Sequence, residues 1–146
     1  MAKALPSAGY SGRALPEKLG FKPGMVVLFI ALPDDLAALA GSVDFAEAEA
    51  HPRWSAVSGS TAFDAIHAFT TSHAEIAKNL VKLQKALKRD GMIWVSWPKK
   101  AAKVATDVTE DVVRAEALKL DLVDVKVAAV DAVWSGLKLV IRKERR

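Results

Sequence analysis

An α/β fold built on one mostly parallel, doubly wound sheet of about six strands, with an antiparallel C-terminal strand, is predicted by three features of the 146-residue sequence. Short apolar runs alternate with helical segments. The clearest helical segment carries matched start and stop signals. Two strand-like segments then follow one another directly near the end of the sequence, spaced for an antiparallel return.

Residues 1–24 are rich in Gly, Pro and Ser and read as an N-terminal arm with a short helical turn at 16–19; residues 25–146 form the α/β domain. Met25-Val-Val-Leu-Phe-Ile30 is a continuous apolar run behind Pro23-Gly24, the pattern of a strand buried on both faces. Pro33-Asp-Asp-Leu-Ala-Ala-Leu-Ala40-Gly41 predicts a brief crossover helix, acidic at its start and ended by glycine. Residues 43–47 read as a strand, and 51–60, with a proline, a glycine and three serines, as a surface loop.

Phe63-Asp-Ala-Ile-His-Ala-Phe69 is the next strand. Behind it Ser72 and Glu75 make a capping box, Ile76, Leu80, Leu83 and Leu87 recur at i, i+4, i+7 and i+11, and Gly91 supplies a helix stop. Met92-Ile-Trp-Val-Ser-Trp97 is a strand ended by Pro98. A second helix is predicted with Asp107 or Thr106 as its cap, Glu110 reciprocating, and Val108, Val112 and Ala115 on one face as far as Lys119. Residues 122–130 and 137–142 are strands joined by the turn Asp131-Ala-Val-Trp-Ser-Gly136.

With 51% apolar residues, 26% charged residues and only 8 Gly and 6 Pro, the composition excludes a disordered or collagen-like chain. No apolar run approaches the ~20 residues that span a bilayer, and the first residues lack the apolar stretch of a signal peptide, so no membrane partner and a cytoplasmic location are expected. Zero cysteines exclude disulfides, thiolate metal sites and a thiol nucleophile. The net charge of +4 is uneven, and the basic block runs from Lys78 to Lys103. Lys78, Lys82, Lys85, Lys88 and Arg89 read as the solvated face of one helix, which argues against a nucleic-acid partner.

Leu19-Gly-Phe-Lys-Pro-Gly24 before the first strand, Phe63-Asp-Ala-Ile66 before the capped helix, and the terminal two-strand return resemble, in layout, the class I S-adenosylmethionine-dependent methyltransferases. More specifically, Gly9-Tyr-Ser-Gly12, Trp94-Val-Ser-Trp-Pro-Lys-Lys100, Asp107-Val-Thr-Glu-Asp-Val-Val-Arg114 and Trp134-Ser-Gly-Leu-Lys138 are similar to segments of a bacterial family of unknown function. The resemblance implies a trimmed, Rossmann-like methyltransferase sheet in which the last strand is inserted antiparallel between the strands at Met92 and Leu122. It implies no reaction, since that family has none assigned.

The sequence departs from active methyltransferases where they hold the cofactor. Their first strand feeds a glycine-rich turn that lets backbone approach the ligand. Here no glycine occurs between Gly24 and Gly41, and Pro33 removes a backbone donor. Glu47 and Glu49 are the nearest acids to the position that would grip a ribose. No cofactor is therefore expected in the usual pose, and S-adenosylmethionine-dependent transfer is the alternative reading.

Right-handed crossovers gather segments 32–35, 70–73, 98–107 and 133–136 at the C-terminal edge of the sheet, where open α/β sheets bind ligands. Lys99 and Lys100 lead the candidates there, because helix starts near Ser72 and Thr106 would aim backbone N–H groups at the same anion. Trp97, Trp134, Ser135 and Asp107 join them, with Tyr10 and Ser11 of the arm as a cover. The reading is a non-catalytic domain that binds a small anionic ligand or a protein partner, with a nucleic-acid-binding module as a second alternative. Asp34 and Asp35 read as helix-start acids rather than an acid–base pair. His51, His67 and His73 lack metal-ligand spacing, and His67 reads as a partly buried, hydrogen-bonded strand residue. Gly9-Tyr-Ser-Gly-Arg13 lacks the last glycine of a nucleophile elbow.

Overall fold

The computed structural model describes residues 14–146. Its strands are β1 (Val26–Ile30), β2 (Glu47–His51), β3 (Phe63–Phe69), β4 (Leu87–Pro98), β5 (Leu122–Ala129) and β6 (Trp134–Ile141); its α-helices are α1 (Leu15–Lys18), α2 (His73–Ala86) and α3 (Glu110–Leu118). One sheet holds all six strands in the order β2-β1-β3-β4-β6-β5. The pairs among β1, β2, β3 and β4 are parallel, and β6 runs antiparallel to both neighbours, as the resemblance implies.

The continuous apolar run of β1 has a direct cause: both faces of the sheet are covered. Leu28 and Ile30 join Ile66, Ile93 and Val95 beneath Ile76, Leu80 and Leu83 of α2 and Val113 and Ala117 of α3. Val27 and Phe29 point the other way, with Ala65, Phe69, Met92 and Trp94, under Leu15, Leu19, Phe21, Leu36 and Leu39. Each fully buried Leu, Ile or Phe contributes about 1.5–3 kcal/mol, so the predicted stripe of α2 accounts for much of its docking. None of the helices among the described residues is long and apolar enough to cross a membrane.

Several boundaries differ from the sequence expectation. Residues 34–41 wind as a 3-10 helix, Asp34–Gly41, with Asp34 and Asp35 exposed in its first turn. The second strand is Glu47–His51 rather than 43–47, and the expected surface loop 51–60 contains a 3-10 turn, Trp54–Ala56, whose Trp54 is completely buried. Trp54 Nε1 donates to the Phe69 carbonyl at 2.9 Å, so an indole anchors what composition marks as a loop. Thr109, not Asp107 or Thr106, caps α3, its hydroxyl accepting from Val112 N at 3.2 Å; the buried helical positions are accordingly Val113, Glu116 and Ala117 instead of Val112 and Ala115.

Gly91 does not stop α2. The helix ends at Ala86, Leu87 is already extended, and Lys88 and Arg89 belong to β4, so they do not continue the helical basic face. Between Phe63↔Leu87 and Ala65↔Met92, β3 advances by two residues and β4 by five, so the β4 chain bulges outward over 88–91. Gly91 lies where the bulge rejoins the sheet. A Cβ there would sit 2.7 Å from Leu87 Cδ1 and 2.8 Å from the Asp64 carbonyl oxygen. Because a backbone atom blocks it, Gly91→Ala is expected to lower unfolding free energy by about 1–3 kcal/mol, measured by urea titration. A variant as stable as the parent would show that the bulge relaxes freely.

Candidate functional site

The C-terminal edge is assembled chiefly by the pairing of β4 with β6, which sets Trp97 opposite Ser135 and Pro98 opposite Trp134. Trp134, Ser135 and Gly136 are thus the first residues of β6 and not the turn that their composition suggests. The reversal lies just before them. Asp131 Oδ1 accepts from Val133 N at 2.8 Å and Trp134 N at 2.7 Å, and Lys99 closes over it: Lys99 N donates to Val133 O, and Lys99 Nζ to Asp131 O, each at 2.7 Å.

These bonds bring Trp97, Lys99, Trp134 and Ser135 together, but with a division. Trp97 is buried in the core beneath α2 and α3, whereas Trp134 packs edge-on against Phe69 on the opposite face, ring centroids 5.2 Å apart. The two indoles therefore cannot flank one pocket. Lys99 is half-buried and fixes the reversal; Lys100 is exposed at the start of a short 3-10 turn, Lys100–Ala102. Tyr10 and Ser11 lie outside the described residues.

Asp107 serves the neighbouring element. Its Oδ1 accepts from His73 N, the first residue of α2, at 2.7 Å, while Thr106 Oγ1 donates to Thr71 O at 2.9 Å. Ser72 Oγ accepts from Glu75 N at 3.2 Å, one half of the predicted capping box; the other half is replaced, since Ser72 N donates to Thr70 Oγ1 at 3.0 Å and Thr70 Oγ1 donates to Glu75 Oε1. The N–H groups expected to face a ligand at these helix starts are thus partly used within the protein. His73 Nε2 meets Glu116 Oε2 at 2.9 Å, and hydrogen bonds from His73 and then Lys119 hold the Glu116 carboxyl below the usual range. The effect is to lock the start of α2 to α3. No sequence signal announces this pair, which is 43 residues apart.

The turn after β1 tests the fit of the cofactor that the resemblance implies. Ala31 adopts φ 55°, the left-handed conformation that suits glycine, and so carries a Cβ where close approach needs none. Its N–H is already donated to His51 O at 2.8 Å. Pro33 has no N–H to offer, and β2 ends in His51 in place of a carboxylate, with Glu47 and Glu49 farther back on the strand. These residues do not fit S-adenosylmethionine in the pose that a glycine turn supports.

The sequence also understates His67. It is completely buried, its Nε2 lies 2.7 Å from Ser96 Oγ, and its ring stacks on Phe69 with centroids 4.3 Å apart. Burial pushes the imidazole down to about 3, and Nδ1 finds no partner among the described residues. Gly136 makes room for this pair: a Cβ there would lie 3.0 Å from Ser96 Oγ and 3.1 Å from the Trp94 ring. Among the described residues, no three His, Asp or Glu side chains group to hold a metal.

Comparison with solved structures identifies the architecture. The chain superposes on magnesium protoporphyrin IX methyltransferase from Synechocystis with bound S-adenosylmethionine at a TM-score of 0.63, with 13% identity over 88% of this chain and 74% of that one. The 1,6-didemethyltoxoflavin-N1-methyltransferase of Burkholderia thailandensis, solved with S-adenosylhomocysteine, gives a TM-score of 0.57 at 15% identity, covering 88% and 75%. A TehB-like S-adenosylmethionine-dependent methyltransferase from Corynebacterium glutamicum gives 0.57 at 14% identity, covering 93% and 91%. At such identities the likeness shows the fold: a Rossmann-like methyltransferase sheet with an antiparallel β6. No family model matches the sequence, and no curated protein matches it.

Proposed function

We propose that this chain is a non-catalytic binding domain on a methyltransferase sheet, taking a small anionic ligand at the C-terminal edge beside Lys100. The observation that carries the reading is the turn after β1. Ala31 has the left-handed backbone that suits a glycine but carries a methyl group packed against the core, spends its N–H on His51, and stands two residues before Pro33. The cofactor platform is lost while the edge beside it stays ordered. Lys99 and Asp131 pin the loops at the ends of β4 and β5, and the exposed Lys100 ammonium follows directly.

Titration calorimetry with S-adenosylmethionine and S-adenosylhomocysteine tests this reading, with no saturable heat and an unchanged melting temperature as the expected result. A ligand present at a hundred times its Kd would add about 2.7 kcal/mol of stability. Such a gain with either compound would overturn the loss of the cofactor site and favour the transferase alternative. In a thermal-shift panel of inorganic phosphate and mono- to tricarboxylates, Lys100→Glu is expected to abolish the response to the anion that stabilises the parent. Lys99 is a poorer probe, because removing its bond to Asp131 O costs about 1 kcal/mol by itself.

A further inference from the structure

On the sheet face away from α2 and α3, a cleft of about 720 Å³ opens between the chain before β1, residues 42–44, and β4, β6 and β5. It lies toward the N-terminal ends of β1 and β2, not at the C-terminal edge. Its floor is a row across three strands: Trp94 of β4 stands opposite Lys138 of β6, which stands opposite Lys126 of β5. Lys18 and Lys22 line the facing wall, so four lysines meet two carboxylates, Glu17 and Asp44.

The row exists because of a β-bulge. The register passes from Asp124↔Leu139 directly to Lys126↔Lys138, leaving Val125 as an extra residue in β5. Asp124 lies on the α3 side, where it binds Arg114 Nε at 3.0 Å. Without the bulge, Lys126 would fall opposite Leu137, a core residue beneath the helices. The extra residue turns Lys126 onto the other face and sets two lysines directly across from each other. Like charges in that position destabilise a sheet, and bulges recur where a side chain is re-aimed for binding. Lys126 Nζ lies 3.4 Å from Lys18 O, a neutral carbonyl, and Lys138 has no anionic partner among the described residues. Burial, then Lys126, then Lys22, lower the Lys138 pKa. Trp94 offers the cleft no donor, because its indole N–H is donated to Leu19 O at 2.8 Å.

We infer that this cleft is a second site, which takes a small polyanion with neighbouring negative groups, an oligophosphate, between Lys22, Lys126 and Lys138. The volume is that of a small-molecule pocket, and the chain before β1 gives the open cleft one of its walls. Several ammonium groups converging from two walls match adjacent phosphates better than a single monoanion. The inference does not rest on the edge proposed above.

Inorganic tripolyphosphate is the probe, titrated into the full chain by calorimetry at low salt, with orthophosphate alongside. Saturable one-to-one binding is expected, tighter than for orthophosphate and weakened by added salt. Lys138→Gln and Lys126→Gln are each expected to weaken it about tenfold or more, with the unliganded melting temperature equal to or above the parent's because the facing charges are relieved. Lys100→Glu should leave this binding unchanged, which separates the cleft from the edge. No tripolyphosphate binding, or binding that survives both glutamine variants, would overturn the site, as would preference for a single-stranded oligonucleotide over tripolyphosphate at matched phosphate concentration.

Discussion

Trp54→Ala is expected to lower the unfolding free energy by about 3–5 kcal/mol, a large part of the 5–15 kcal/mol typical of a whole domain. Trp54 is among the largest completely buried side chains, and it sits in the core between α2 and the sheet although its backbone belongs to a three-residue 3-10 turn. Alanine removes the indole's apolar area and also the bond to the Phe69 carbonyl. Trp54→Phe separates the two effects: it keeps most of the volume and should cost about 1–2 kcal/mol. Guanidinium titrations of both variants decide the matter. If alanine costs less than 1 kcal/mol, the 51–60 segment is a loop in energetic terms too, and its anchor has been misread.

The second large effect is on acid stability. With the His67 imidazole held near a pKa of about 3 by burial, against 6.5 in an unfolded chain, the folded protein stays unprotonated over a range in which the unfolded chain takes up a proton. The contribution of the neutral ring is complete above about pH 6.5 and is lost as pH falls toward 3, at about 1.4 kcal/mol per pH unit from this one group. Glu116, with its pKa held down, adds loss in the same direction at lower pH. His67→Gln should therefore be less stable than the parent at pH 7, where it forfeits the stacking on Phe69, yet show a flatter fall between pH 6 and 4. Parallel pH–stability curves for parent and variant would mean that the ring reaches water in the native state.

What the sequence made legible was whatever depends on neighbours in the chain. Ser72 and Glu75 are three residues apart, and the Ser72 half of the capping box they predict is present, with Thr70 standing between Ser72 N and the Glu75 carboxylate in the other half. The apolar run of β1 declares two covered faces wherever the covering comes from. The insertion of β6 between β4 and β5 came from the resemblance and not from periodicity. Misreadings cluster where a residue answers to a distant part of the chain. Gly91 has the composition of a helix stop, but its lack of a side chain serves the Asp64 carbonyl across the sheet. Ser135-Gly136 has the composition of a turn, but Gly136 is small because Ser96 and Trp94 crowd it. Asp107 looks like the cap of the helix that follows and instead caps the one before. At the edge, pairing of β4 with β6 brought Lys99 to Trp134, while the sheet itself separated Trp97 from it. In the cleft, a single extra residue, Val125, decides which face Lys126 occupies, and strict alternation would give the opposite answer.

The place of β6 in the sheet has a consequence for how the chain comes off the ribosome. Synthesis is vectorial, so β4 and β5 both emerge before the strand that joins them. Until residues 134–141 are available, β4 presents a free edge of unpaired amides flanked by Ile93, Trp94, Val95 and Trp97, and β5 has no sheet partner at all. An apolar edge of this kind is a template for pairing with another chain. The sheet is thus most exposed to mispairing in the interval after β4 has emerged and before β6 has, and the arrival of β6 both joins β4 to β5 and ends the exposure of that edge of β4.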